Sequence, residues 1–167
     1  MAPTEQAQFL AAWEHEAQST LKVLRSLPPT QYDLRPVPGG RSLGELAWHL
    51  AEIDAYMSEG VASGEFDFSR KLPGLERPRT IGELAPGFER VHREAVARIS
   101  ALAPQALDRE VVMIGHPRRA GDILWFALVQ HAIHHRGQLV LMCRMAGGTP
   151  PGLYGPNREE SAAPQRS

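Results

Sequence analysis

QHAIHHRGQ, residues Gln130–Gln138, places three of the chain's seven histidines within five residues of an otherwise apolar segment. A helix through this stretch puts His135 about 40° and His134 about −60° from His131 around the axis. Four apolar side chains lie between about 20° and 80° on the same scale and define the core-facing stripe: Leu124, Leu128, Leu139 and Met142. His131 and His135 therefore fall inside that stripe, and His134 falls on its edge. Two histidines one turn apart can aim two ring nitrogens at one point, so the pair predicts a metal site.

A third ligand must come from another helix, and the other four histidines are the candidates. His49 occupies the centre of an apolar stripe, between Leu46 and Ile53. The others lie among charged neighbours or before a proline in a loop: His15, His92 and His116. We therefore predict that His49 joins His131 and His135 as the third ligand.

The alternative is that these histidines are structural. A lone core histidine more often donates a hydrogen bond to a carbonyl than binds a metal. An inward pair needs partners for up to four ring nitrogens, and the interior of a helical bundle offers few. Three neutral imidazoles favour zinc or nickel, with iron, copper and cobalt as alternatives. Such a set leaves coordination positions open, which is typical of a catalytic or ligand-binding site.

The composition is that of one ordinary domain. The 167 residues can bury a full core, and 43% hydrophobic with 22% charged residues is typical of a soluble protein. A net charge of −1 gives no reason to expect nucleic acid as a partner. The single cysteine, Cys143, forms no intrachain disulfide, which fits a cytoplasmic location. We find no secretory signal and no apolar run of about 18 residues that could span a membrane.

Helical periodicity and capping signals predict four long helices, and between them connectors that contain proline and glycine. The first, third and fourth predicted helices are Thr4–Leu27, Thr80–Leu102 and Ala120–Met145. The second begins at Ser42 and ends between Gly60 and Gly64. A capping box is expected at Ser42–Glu45 and at Thr80–Glu83. Pro86 predicts a kink or a late start in the third helix, and Gly147–Gly148 predicts the end of the fourth.

The connectors are less regular. Residues 28–41 are long enough to permit the first and second helices to lie parallel. Leu107–Pro117 contains a possible short extended segment, which could not build a sheet by itself. We predict a single domain over residues 1–157 and a polar tail of low order over 158–167.

Three features together resemble the DinB-like family, also described with the YfiT-like metal-dependent hydrolases. They are the helix start Ser42–His49, the motif from His131 to Gln138, and the passage from Leu141–Gly148 into two prolines. The resemblance covers the chain to about Asn157. It implies an all-α four-helix bundle with a long crossover, a divalent metal on the three predicted histidines, and frequent homodimers. Related bundles include transferases and isomerases that use the thiols bacillithiol, mycothiol or glutathione, whose thiolate the metal is thought to generate.

An open metal site suits thiol transfer or hydrolysis of a small molecule, because a bound metal acidifies a thiol or water. The glutamate of a zinc-protease helix does not follow His131, so that mechanism is not expected. Possible assistants lie beside the predicted ligands: His134, Glu52, Tyr56 and Glu45. The alternative functions are a non-catalytic, metal-binding stress-response protein and a purely structural role for the histidines.

Other residues of the fourth helix have expected roles. Gln138 should lie inward and either orient a ligand or bond to helix ends, whereas Arg136 should hold the C-terminal segment or a partner chain. Trp48, Trp125 and Cys143 are expected to be packing residues. The reverse side of the helix is also apolar, which favours a homodimer. The residues of that side are Phe126, Val129, Ile133 and Val140.

Overall fold

Four long helices form a bundle in the computed structural model, which describes residues 2–161. The first three are α1 (Glu5–Ser26), α2 (Leu43–Ser63) and α3 (Ile81–Ser100). The fourth long helix is composite: it consists of α4 (Ala120–Leu124), a π-helical turn (Trp125–Gln130) and α5 (His131–Met145). The all-α prediction is confirmed, and the four predicted helices end within about two residues of their observed bounds. None of the helices within residues 2–161 is both long and apolar enough to cross a membrane.

The helix starts agree with the sequence in part. At Ser42 the capping box is confirmed: the hydroxyl accepts from the Glu45 amide at 3.2 Å, and the Glu45 carboxylate accepts from the Ser42 amide at 2.8 Å. The box predicted at Thr80 is wrong, because its hydroxyl donates to the Glu83 carboxylate at 2.6 Å instead of capping an amide. The late start predicted from Pro86 is also wrong, since α3 begins at Ile81. The amide that Pro86 lacks would bond within the first turns, where the loss of one bond is tolerated when the helix packs on the core.

Contacts along α1 show its direction relative to its neighbours. Phe9 packs on Trp125 near the start of the fourth long helix, and Ser26 meets Cys143 near its end, so these two helices are parallel. Gln6 bonds to the Ile99 carbonyl near the end of α3, whereas Arg25, near the end of α1, pairs with Glu89 in the middle of α3. Helices α1 and α3 are therefore antiparallel.

Helices α2 and α3 form the parallel pair that needs a long crossover. Asp54 meets His92, and one turn later Ser58 meets Arg98, so contacts advance in the same direction on both helices. The crossover is the segment 64–80 between them. The possibility that α1 and α2 lie parallel is therefore not realised, because α2 shares the direction of α3 and opposes α1.

A small hairpin precedes the fourth long helix. Strand β1 (Glu110–Met113) pairs antiparallel with β2 (His116–Arg119), and two residues with positive φ, Ile114 and Gly115, join them. A turn with positive φ at both central residues matches the twist of a hairpin. The partner strand was missed in the sequence because it contains a proline and two arginines and lacks the pattern of a strand.

The C-terminal segment returns to the bundle. Helix α5 ends at Met145, and Gly147 adopts a φ of 80° in the left-handed region that the predicted stop requires. Residues Arg158–Ser161 form a short helix, α6, and Glu159 pairs with Arg144 at 2.7 Å. The prediction of low order was therefore wrong for 158–161, while 162–167 lie outside the described residues. The division into a domain and a tail stays a prediction.

Candidate metal centre

Three histidines converge between α2 and α5, which pack against each other. His49 lies in the second turn of α2, His131 begins α5, and His135 follows one turn later. One ring nitrogen from each lies within 4.8 Å of the other two, and all three residues are half-buried. The Nε2 atoms of His131 and His135 face each other at 2.9 Å. These three imidazoles could hold one metal ion.

The spacing of the nitrogens is compatible with coordination. At metal–nitrogen distances of about 2.1 Å, two ligands of a tetrahedral ion are about 3.4 Å apart. The separation of 2.9 Å between His131 and His135, and the limit of 4.8 Å for the whole set, bracket that value. Small side-chain adjustments would therefore suffice, and the donor set fits a borderline divalent cation.

Gln138 supports the arrangement from outside. Its Oε1 lies 2.8 Å from Nδ1 of His135, and its Nε2 lies 3.1 Å from Nε2 of His134. With Nδ1–H of His135 donating to Gln138, the lone pair of Nε2 is left free to face the centre. Gln138 thus makes the predicted contact with a ligand, although it is exposed rather than inward. His134 contacts the side-chain amide of Gln138 and so helps to position it.

The protonation of the ligands favours metal binding. Burial lowers the pKa of His131 to about 4, and the positive charges of the neighbouring histidines and Arg41 act in the same direction. Burial also lowers the pKa of His135, partly opposed by its bond to Gln138. Because only the neutral imidazole offers a lone pair, these shifts favour the metal-binding form of both histidines.

The predicted assistants have different surroundings. The Glu52 carboxylate lies 3.4 Å from Nδ1 of His49, beside the triad. The hydroxyl of Tyr56 donates to the Arg70 carbonyl at 2.9 Å and so engages the crossover. Glu45 is paired with Arg35, which together with the Ser42 amide lowers its pKa to about 2. Glu45 is therefore a poor base, whereas Glu52 contacts His49 and His134 packs edge-on against His135.

Phe126 adjoins the triad in a way that the sequence did not indicate. Its ring stacks on that of His131, with centroids 6.1 Å apart and planes at 12°. The sequence placed Phe126 on the reverse side of the helix, and this prediction was wrong. An α-helix would separate the two residues by about 140°. The π-helical turn changes the angle, because the His131 amide donates to the Phe126 carbonyl five residues earlier.

The other predicted packing roles are confirmed by burial. Trp48 and Cys143 are fully buried, and Trp125 packs edge-on against Phe9. Within the predicted reverse side, Val129 is also buried, so the bundle itself covers part of that face.

A buried polar cluster was missed by the sequence analysis. Asp54, 2% exposed, accepts from Trp13 Nε1 at 3.2 Å and lies 2.7 Å from Nδ1 of His92. The other ring nitrogen of His92 lies 3.1 Å from the Glu14 carboxylate. His92 was set aside because its sequence neighbours are charged. Its neighbours at helical spacing are apolar, which signals an inward position: Phe88 and Ala95.

Arg136 is also a buried charged residue and is 1% exposed. Its guanidinium donates to the Glu16 carbonyl at 2.8 Å and pairs with the carboxylate of the same residue. The Tyr154 hydroxyl donates to that carboxylate at 2.6 Å and also contacts Arg136. The prediction that Arg136 holds the C-terminal segment is therefore confirmed.

Comparison with known proteins agrees with this architecture. The model of the DinB family matches residues 1–167. The uncharacterised Bacillus subtilis protein YrdA is 34% identical in an alignment 161 residues long, which covers 92% of this chain and 90% of YrdA. A crystal structure of a DinB-like protein from Bacillus cereus superposes with a TM-score of 0.72 at 28% identity, over 87% of this chain and 95% of the other. The DinB-like protein YjoA from Bacillus subtilis shares the fold, with a TM-score of 0.75 at 21% identity over 90% and 99% of the chains. The chain thus belongs to the DinB family.

Proposed function

We propose that this protein binds a divalent metal ion, zinc or nickel, through His49, His131 and His135, and acts on a small molecule by thiol transfer or hydrolysis. The convergence of three ring nitrogens within 4.8 Å carries the proposal. A divalent ion held by three imidazoles leaves positions for a ligand and lowers the pKa of a thiol or water, which becomes a nucleophile near neutral pH.

The residues of this chain would contribute in distinct ways. The depressed pKa of His131 and His135 keeps their nitrogens available to the cation rather than to protons. Gln138 fixes the orientation of the His135 ring by its 2.8 Å bond. The carboxylate of Glu52 is the group beside the triad that could accept a proton from an incoming thiol or water.

The test is metal content followed by turnover. Protein purified without a histidine tag should contain close to one equivalent of zinc or nickel, and the loaded protein should transfer low-molecular-weight thiols or hydrolyse esters. Metal uptake that raises the melting temperature without turnover would favour the non-catalytic, metal-binding stress-response function. No metal uptake and no metal-dependent shift in melting would eliminate both functions and leave the structural role.

We expect Gln138→Ala to weaken metal binding about 10- to 100-fold, because loss of a residue that orients a ligating histidine has effects of this size. Competition with a chromogenic chelator measures the affinity. Gln138→Glu is the matched control. Its carboxylate still accepts from Nδ1 of His135, so this variant should bind metal more tightly than Gln138→Ala does. Equal affinity in all three proteins would remove Gln138 from the site.

We also propose a homodimer formed through the outer face of α5. Leu141 and Met145 are 59% and 53% exposed and lie one turn apart on this helix. Sedimentation velocity should give twice the chain mass of 18.4 kDa, and Leu141→Lys combined with Met145→Lys should give the monomer. Val37→Lys, at an exposed apolar residue of the first connector, should leave the dimer intact. A monomeric wild-type chain would contradict this proposal.

A further inference from the structure

Phe126 is an exposed aromatic residue beside the histidine triad, and the function proposed above gives it no role. Its side chain is 55% exposed, although it stacks on the ring of His131. The next three residues, Ala127 to Val129, are buried in the core. The helix therefore buries its other apolar groups here and presents one phenyl ring to solvent beside a candidate metal ligand. Apolar surface so placed is available to a bound molecule.

The backbone explains how the ring comes to lie there. The bond from the His131 amide to the Phe126 carbonyl spans five residues and closes the π-helical turn. His131, five positions later, therefore lies one turn above Phe126. In an α-helix the residue four positions later would take this place. The turn ends where α5 begins, at the first histidine of the triad. Such turns are less stable than α-helix and occur frequently at functional sites.

We propose that Phe126 is a specificity-determining residue, which contacts an apolar and preferably aromatic group of the small molecule whose polar end reaches the histidine triad. This inference rests on the proposed function and adds the class of substrate: a compound with an aromatic or apolar substituent close to its thiol or ester. An aromatic group would bind on the part of the ring that is exposed beside His131. Pairs of aromatic rings contribute about 0.5–1.5 kcal/mol beyond the area they bury.

The proposed dimer face does not account for Phe126. Leu141 lies 15 residues further along the same helix, which is about 20 Å at the rise of a helix. The two exposed apolar groups can therefore serve different ligands, and Leu141 provides a matched control for Phe126: both are large, apolar, more than half exposed and on the fourth long helix.

The experiment compares two thiols on zinc-loaded protein. Isothermal titration calorimetry gives the Kd of benzyl mercaptan and of 2-mercaptoethanol, and the ratio of the two measures the preference for an aromatic group. We expect wild-type protein to bind benzyl mercaptan about 10-fold more tightly. Phe126→Ala should remove most of this preference, whereas Phe126→Tyr and Leu141→Ala should retain it.

Each other result overturns the inference. A wild-type protein without the preference, or a Phe126→Ala variant that keeps it, would show that the ring does not contact the ligand. Loss of the preference in Leu141→Ala as well would assign it to exposed apolar surface in general. Metal content, measured first on the same samples after exposure to zinc or nickel, separates the two proposals: without uptake of either metal both fail, and with metal uptake but no effect of Phe126→Ala only the inference fails.

Discussion

Replacement of His131 with alanine is expected to lower the affinity for zinc or nickel by more than about 100-fold. Loss of a residue that only orients a ligand lowers metal affinity by up to about 100-fold, and loss of a ligand should cost more. His131 has two roles in the candidate centre. Its Nε2 faces that of His135 at 2.9 Å, and its ring contacts that of His49 at a centroid distance of 6.0 Å. Alanine therefore leaves two imidazoles on different helices, a set too small for the tight binding of a borderline cation.

The effect should be confined to metal binding. His131 is half-buried and contributes little to the packing of the core. The circular dichroism spectrum and the metal-free melting temperature of His131→Ala should therefore be close to those of the wild-type protein. His15→Ala is the control, because this exposed histidine of α1 has no part in the triad. Elemental analysis of untagged proteins and chelator competition provide the measurement. An unchanged metal content in His131→Ala would contradict the assignment of this residue as a ligand.

The periodicity of α-helices made the triad predictable. From His131 onward α5 is regular, so an angle of about 100° per residue places His131 and His135 on the same side. The apolar stripe of α2 placed His49 equally well. The same rule failed at Phe126 because an i to i+5 bond has no recognisable pattern in a single sequence. The sequence therefore predicted the convergence of the three histidines and missed the aromatic residue that adjoins them.

Buried polar residues were harder to predict for a different reason. Asp54 and His92 have low intrinsic tendencies to be buried, and each is tolerated in the core because the other, together with Trp13 or Glu14, satisfies it. That pairing joins two helices separated by the long crossover and is not visible in the spacing of either one. The hairpin was missed for a similar reason, since β2 acquires its strand conformation from its pairing with β1.

Removal of the Asp54 carboxylate is expected to produce the largest loss of stability among single substitutions away from the triad. Asp54→Ala leaves the indole of Trp13 and the imidazole of His92 without their buried acceptor. Breaking a buried pair in this way costs about 3–5 kcal/mol of the free energy of unfolding. For a chain of this size each kcal/mol lowers the melting temperature by about 2–4 °C, so thermal melts should show a shift of about 10 °C. Asp54→Asn retains an acceptor and a similar volume and should lose much less.

Comparison of wild-type protein with Asp54→Asn also tests the charge of the cluster, through the pH dependence of stability. Burial alone would lower the pKa of His92, but Asp54 and Glu14 outweigh it and raise this pKa above 6.5. Burial raises the pKa of Asp54 as well, so the folded cluster retains protons that the unfolded chain has released. The contribution of His92 to stability is complete below pH 6.5 and disappears as the pH rises through the folded pKa of this residue. The melting temperature of wild-type protein should therefore fall between pH 6.5 and alkaline pH more steeply than that of Asp54→Asn, in which the histidine has lost its buried anion. Parallel curves for the two proteins would mean that the cluster is held by neutral hydrogen bonds, and that Asp54 stabilises the bundle by its shape and acceptor atoms rather than by its charge.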